Sequence, residues 1–131
     1  MTGLDTNVVI RYVTQDDPVQ SAAATKLIDS FSADSPGFIA MIVAVELVWV
    51  LQSCYGAKRN EIARVLETLL RSKELMVESA DLVWKALRRF TVGKADFADC
   101  LVERCGHAAG CQHTVTFDQN AVSAAGMHPL S

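Results

Sequence analysis

Five acidic residues stand out by type and place: Asp5, Glu46, Asp96, Asp99 and Asp118. Glu46 interrupts the apolar run Met-Ile-Val-Ala-Val-Glu-Leu-Val-Trp-Val-Leu. An ionised carboxylate left buried and unpaired costs several kcal/mol, so such a residue needs a partner or gives up its charge. Asp96 and Asp99 lie at i and i+3 and project from one face of a helix start. Each acid has an ordinary explanation: a structural ion pair for Glu46, a favourable helix dipole for Asp96 and Asp99, an N-cap for Asp118. No single ordinary explanation covers them all, and no matching basic cluster accompanies them. Close like charges raise one another's pKa unless a cation neutralises them. All-carboxylate oxygen ligation suits Mg²⁺ or Mn²⁺. An ion so held, keeping some of its waters, can activate one as a nucleophile and stabilise a phosphoryl oxygen. It also supplies the positive charge that phosphates require.

Two other chemistries compete. Cys100, Cys105, His107, Cys111 and His113 place soft ligands within one short segment. Structural zinc sites pair such ligands as C-x₂₋₄-C and H-x₃₋₅-H, whereas Cys100 and Cys105 are too widely spaced on a helix to share a face closely. Free cysteine is also a common buried residue, and all four cysteines (with Cys54) read as reduced thiols. A phosphatase of the haloacid dehalogenase type needs Asp-x-Asp for its nucleophile and general acid. Asp5-Thr6-Asn7 lacks the second acid.

The elements that must position the acids alternate. Residues 4–7 read as the end of a short strand turning into a helix, with Val8, Val9, Tyr12 and Val13 at helical spacing. Asp16-Asp17-Pro18 stops that helix and begins the next, whose body covers 22–31. A turn at Ser35-Pro36-Gly37 leads into a strand over 38–40. The helix over 42–54 is apolar nearly all round and is expected to be buried. Helices follow over 60–70, 80–90 and 96–108, a loop over 91–95, strands over 75–77 and 113–116, then a short helix and a last extended piece over 127–130. Strands alternating with helices imply a parallel sheet covered on both faces, the α/β class. Sites in such sheets form outside the carboxyl ends of the strands. That rule selects Asp5, Asp118 and the region after the second strand, where Glu46 sits.

Composition narrows the rest. The 131 residues suit one domain, half of them are apolar, and 12 Lys+Arg face 15 Asp+Glu for a formal net charge of −3. That apolar content excludes disorder as the main state. The longest uninterrupted apolar run, 38–45, is far short of the roughly 20 residues that span a bilayer. The start Met-Thr-Gly-Leu-Asp has neither a basic n-region nor an apolar h-region, so a cytoplasmic protein is expected. The acidic balance gives no global attraction for nucleic acid.

Four segments together resemble the PIN-domain family, and within it the VapC-type toxins of bacterial type II toxin–antitoxin pairs. They are Leu4-Asp5-Thr6-Asn7-Val8-Val9-Ile10, Val45-Glu46-Leu47, Ala95-Asp96-Phe97-Ala98-Asp99-Cys100-Leu101 and Thr114-Val115-Thr116-Phe117-Asp118. Their order and spacing match over essentially the whole chain. The resemblance implies a single PIN domain over 1–131, a three-layer α/β/α sandwich around a mainly parallel sheet. It implies an endoribonuclease using Mg²⁺ or Mn²⁺, an RNA substrate, inhibition by a VapB-like antitoxin, and a homodimer. Carried over by motif, the catalytic and metal-binding acids are Asp5, Glu46, Asp99 and Asp118, with Asp96 a further metal ligand ranked below Asp99. Thr6, Asn7 and Thr116 would donate to carboxylates and orient them. Val43 stands where many relatives carry a Ser or Thr before the Glu. Arg11 could reach a phosphate or be a solvated surface residue. Leu66, Leu69 and Leu70, with the helices of Trp49 and Trp84, are either core or a surface for a second copy or an antitoxin. The competing reading is a PIN-like module that binds without cutting.

Overall fold

In the computed structural model, which describes residues 1–130, helices alternate with short strands: β1 (Thr2–Gly3), α1 (Thr6–Thr14), α2 (Pro18–Asp29), β2 (Gly37–Ile39), α3 (Met41–Tyr55), α4 (Arg59–Arg71), β3 (Leu75–Val77), α5 (Ala80–Val92), α6 (Phe97–Ala108), β4 (Val115–Thr116), α7 (Gln119–Ala125) and β5 (His128–Pro129). Every strand pair among these is parallel. Parallel neighbours need long crossovers, and here the crossovers are helices. The chain is therefore of the α/β class, as the alternation of its sequence implies. It forms two compact units, Met1–Ala80 and Asp81–Ser131.

In the first unit the strand order is β1-β2-β3, with Thr2 opposite Gly37 and Gly37 opposite Leu75. The ladder runs past β1, because the Leu4 N–H donates to the Phe38 carbonyl at 2.9 Å. Leu4 is buried, so the strand end is anchored and Asp5 is delivered at the carboxyl edge of the sheet. Helix α1 packs on α2 and α3, and α4 packs on α3 and β3. The apolar faces of α3 and α4 turn into the core through Leu47, Val48, Leu51, Ile62, Leu66 and Leu69, all buried. Leu66 and Leu69 are thus core. Helix α2 begins at Pro18, earlier than the apolar pattern suggests, because Asp17 caps it by accepting from the Val19 and Gln20 N–H groups. Proline at the first helical position is preorganised for such a start.

Helix α3 departs most from expectation. Its composition reads as apolar all round, yet Ile42, Glu46, Trp49 and Ser53 lie on the solvent side. Ile42 is 68% exposed and Trp49 62%. At i, i+4, i+7 and i+11 these four make one stripe, and Glu46 sits within it. Glu46 is therefore an exposed acid, not one trapped in the core.

In the second unit β4 pairs with β5 across α7, with Val115 opposite His128. The last extended piece is thus a strand, held also by the Leu130 N–H donating to the Thr116 carbonyl at 2.9 Å. Strand β4 is shorter than the expected 113–116, and α5 runs on through Thr91 and Val92, which were expected to be loop. Phe90 of α5 meets Phe97 of α6 edge to face, with centroids 5.9 Å apart and planes at 88°. Both rings are fully buried. Phe97 lies between Asp96 and Asp99, so its burial sets the direction of the first turn of α6. Removing a ring so enclosed forfeits its transfer energy and leaves a cavity. Phe97→Ala is expected to lower stability by about 3–5 kcal/mol, read as a fall in the denaturant midpoint with an unchanged m-value.

Candidate active site

The first unit brings Asp5, Thr6 and Glu46 together. Asp5 caps α1 with extended backbone (φ −76°, ψ 158°), and one carboxylate oxygen accepts from the Thr6 N–H at 2.8 Å. The Thr6 hydroxyl donates to Oε1 of Glu46, also at 2.8 Å. One residue thus holds two of the acids, by its backbone and by its side chain. The Thr6 hydroxyl supplies Glu46 with a hydrogen bond that Val43 cannot. Asn7 makes no hydrogen bond to a carboxylate among the described residues. It lines a groove of about 550 Å³ between α1 and α2, together with Val8, Arg11 and Gln20.

The second unit gathers Asp96, Asp99 and Asp118. Asp96 is the N-cap residue of α6 by position, but its side chain makes no capping hydrogen bond. Capping therefore does not account for it. Asp99 is half-buried in the first turn. Its pKa is raised by burial first, then by the negative charges of Asp96 and of Asp118. Asp118 does cap α7, with Oδ1 accepting from the Asn120 N–H at 2.9 Å. Thr116 acts differently from the expectation. Its hydroxyl accepts from the Asp118 N–H at 3.0 Å, so it fixes that residue's backbone and not its carboxylate.

Asp5, Glu46 and Asp118 share a pattern. One oxygen of each is tied to a donor of its own unit. The second oxygen of each has no protein donor among the described residues. Each carboxylate is thereby oriented while keeping a free acceptor. Among the described residues no three His, Cys, Asp or Glu side chains form a ready-made ligand cage. A hard cation that dehydrates reluctantly needs only one or two carboxylates and keeps several waters. Oxygen donors of this kind fit such an ion. The soft ligands do not gather: Cys100 is buried, Cys105 half-buried, Cys111 and Cys54 exposed, and none of them is in a disulfide. His113 stacks on His128 with ring centroids 4.4 Å apart.

Arg11 is engaged elsewhere. Its Nη1 pairs with Asp16 at 3.0 Å and its Nε donates to Gln20 at 2.7 Å. The Tyr55 hydroxyl and the Thr14 hydroxyl each donate to Asp16 at 2.7 Å. Together these donors, Tyr55 foremost, hold the Asp16 carboxyl down at about 2. Arg11 is thus a structural tie rather than a free phosphate ligand. Sequence reasoning missed this knot because Tyr55 lies far from Asp16 in the chain. It also missed that basic residues do gather, along a groove between α5 and α6 lined by Lys85, Arg88, Arg89 and Arg104. The spacing of the first three, at i, i+3 and i+4, was the available signal.

The fold agrees with comparison to known proteins. The PIN domain family model matches residues 4–126, and the chain belongs to this family. It is similar to a VapC ribonuclease of Aquifex aeolicus (strain VF5), 24% identical over 114 residues, which cover 87% of this chain and 84% of that protein. Among the described residues no helix is long and apolar enough to cross a membrane.

The raised Asp99 pKa has a thermal consequence. A carboxyl whose folded pKa lies above its unfolded value binds protons more readily when folded, so stability rises as pH falls through that window. Above it, the ionised Asp99 opposes folding. Asp99→Asn is therefore expected to raise the melting temperature at neutral pH in EDTA. The difference should close as pH falls from the raised pKa towards the ordinary carboxyl value. Thermal melts of both proteins across that range check it, and a lower melting point for the variant at neutral pH would contradict it.

Proposed function

We propose that the chain, read as one PIN domain, is a Mg²⁺- or Mn²⁺-dependent endoribonuclease that hydrolyses RNA phosphodiester bonds. The observation that carries this reading is Asp99, a half-buried carboxyl in the first turn of α6 whose pKa is raised by burial first and then by the negative charges of Asp96 and Asp118. Family membership and the similarity to a VapC ribonuclease support it further. Asp5, Glu46, Asp99 and Asp118 would hold the metal, with Asp96 assisting. Bound there, the ion would lower the pKa of a water and stabilise charge on a phosphoryl oxygen.

The residues themselves do the positioning. The Thr6 N–H and hydroxyl fix Asp5 and Glu46, each through one oxygen. The Asn120 N–H fixes Asp118 in the same way. The half-buried place of Asp99 limits solvent around its carboxylate, which strengthens its attraction for a cation. No side chain need act as a proton donor of its own. A VapB-like antitoxin as inhibitor and a second copy of the chain as partner belong to the same reading.

Incubation of total RNA with the protein, with and without Mg²⁺ or Mn²⁺, tests it. Discrete fragments are expected with metal and none with EDTA. Asp5→Asn should abolish cleavage with an unchanged circular dichroism spectrum. Thr6→Val, which removes the hydroxyl bond to Glu46, should cost about 10–100-fold in activity or metal affinity. Undiminished cleavage by folded Asp5→Asn would overturn the assignment, and the absence of cleavage by folded wild type on RNA of its own host would favour a binding module.

A further inference from the structure

The chain carries 12 Lys+Arg and is acidic overall. Four of those basic residues, Lys85, Arg88, Arg89 and Arg104, line a single groove of about 400 Å³ in the second unit. The remaining charge in its wall is the carboxylate of Glu103. That carboxylate is already committed, since it binds Arg104 through Nε at 2.6 Å and Nη2 at 3.0 Å. Arg89 donates its Nε to the Ala124 carbonyl at 3.0 Å, a backbone oxygen that holds the side chain without neutralising it. The close pass over Gly126 reinforces this hold. A Cβ there would lie 3.3 Å from the Arg89 guanidinium, and the residue has φ +80°. Lys85 and Arg88 are exposed, and their side chains make no hydrogen bond or ion pair among the described residues. Three cations thus face one groove with no carboxylate left to balance them. Like charges so close repel one another until an anion arrives.

The arrangement is a strip and not a point. Lys85, Arg88 and Arg89 follow one another along a single face of α5, spread over about 6 Å of helix axis. A small anion is held by donors that converge on it, whereas a strip of cations matches a line of phosphates. The groove wall on α6 includes Cys100, the residue after Asp99. The strip lies on α5, and the wall that faces it across the groove belongs to the helix that carries Asp99.

We propose that the α5–α6 groove binds the phosphate backbone of single-stranded RNA and anchors it beside Asp99. This assignment rests on the ribonuclease reading for the identity of the ligand, but its test needs no cleavage. A fluorescently labelled single-stranded RNA is titrated with the protein in EDTA at several salt concentrations, and the Kd is read by anisotropy. Each phosphate contact on a single strand contributes about −0.7 to the slope of log affinity against log salt. Lys85→Ala/Arg88→Ala should bind more weakly and lose about 1.4 of that slope. Between about 50 and 200 mM salt, its deficit against the wild type should then shrink about sevenfold. Arg64→Ala/Lys73→Ala removes the same charge from the first unit and should keep the wild-type slope.

Equal slopes and equal Kd for the two double variants would overturn the proposal, as would a wild type that does not bind RNA in EDTA. Displacement of RNA by inorganic phosphate, at an ionic strength where chloride leaves it bound, would mean a small-anion site and would also overturn it. Failure of the ribonuclease reading looks different: salt-dependent binding through Lys85 and Arg88 would persist while metal-dependent cleavage was absent.

Discussion

Negative charges cannot be gathered without something to hold them, and the donors that hold them set much of this architecture. The holding groups are the cheapest available: N–H groups at the starts of helices and one threonine hydroxyl. Free N–H groups at a helix start must find an acceptor in any case. Placing an aspartate there satisfies the helix and orients the acid at once. Asp5 and Asp118 both follow this rule, each after a short parallel strand, so the carboxyl ends of β1 and β4 become the places where acids emerge. The strands themselves are only two residues long. Their role is to fix where a helix begins, and the buried Leu4 on one side and Ala121 and Ala125 on the other keep those beginnings in place.

Much of this was legible in the sequence. The alternation of elements, the parallel pairing and the termini of most helices follow from turn and cap residues such as Asp17-Pro18 and Gly56, which takes φ +62° at the end of α3. These are local signals, read over a few residues. Burial of Glu46 was misread because α3 is so apolar that composition hides its direction. Only the neighbours decide that Leu47, Val48 and Leu51 face inward and that Ile42, Glu46 and Trp49 face out. The roles of Arg11 and Thr116 were misjudged for a related reason. Their partners, Tyr55 in one case and a backbone N–H in the other, depend on tertiary placement or on which lone pair a hydroxyl offers.

The acids illustrate how two explanations of one residue can both hold. Asp118 is an N-cap, as its ordinary explanation requires, and its second oxygen is still free. Capping a helix therefore does not count against a role in metal binding. Asp96 is the informative contrast, because it occupies the capping position without capping. Its charge is left to act on Asp99. The helix dipole, which favours an anion in the first turn, is outweighed there by burial and by two like charges. Carboxylates crowded in this way are costly to ionise together.

The topology has a further consequence for the order in which the molecule assembles. In the first unit β1 must find β2 across all of α1 and α2, and β2 must find β3 across α3 and α4. In the second, β4 reaches β5 across α7 alone. Closing a long loop is slower and costs more chain entropy than closing a short one. The Thr6–Glu46 bond joins residues on either side of the first long crossover, so it can form only once that crossover has closed. A nascent or partly folded chain will therefore lack the tie between Thr6 and Glu46, and the joint orientation of Asp5 and Glu46 around Thr6 is a property of the finished fold alone.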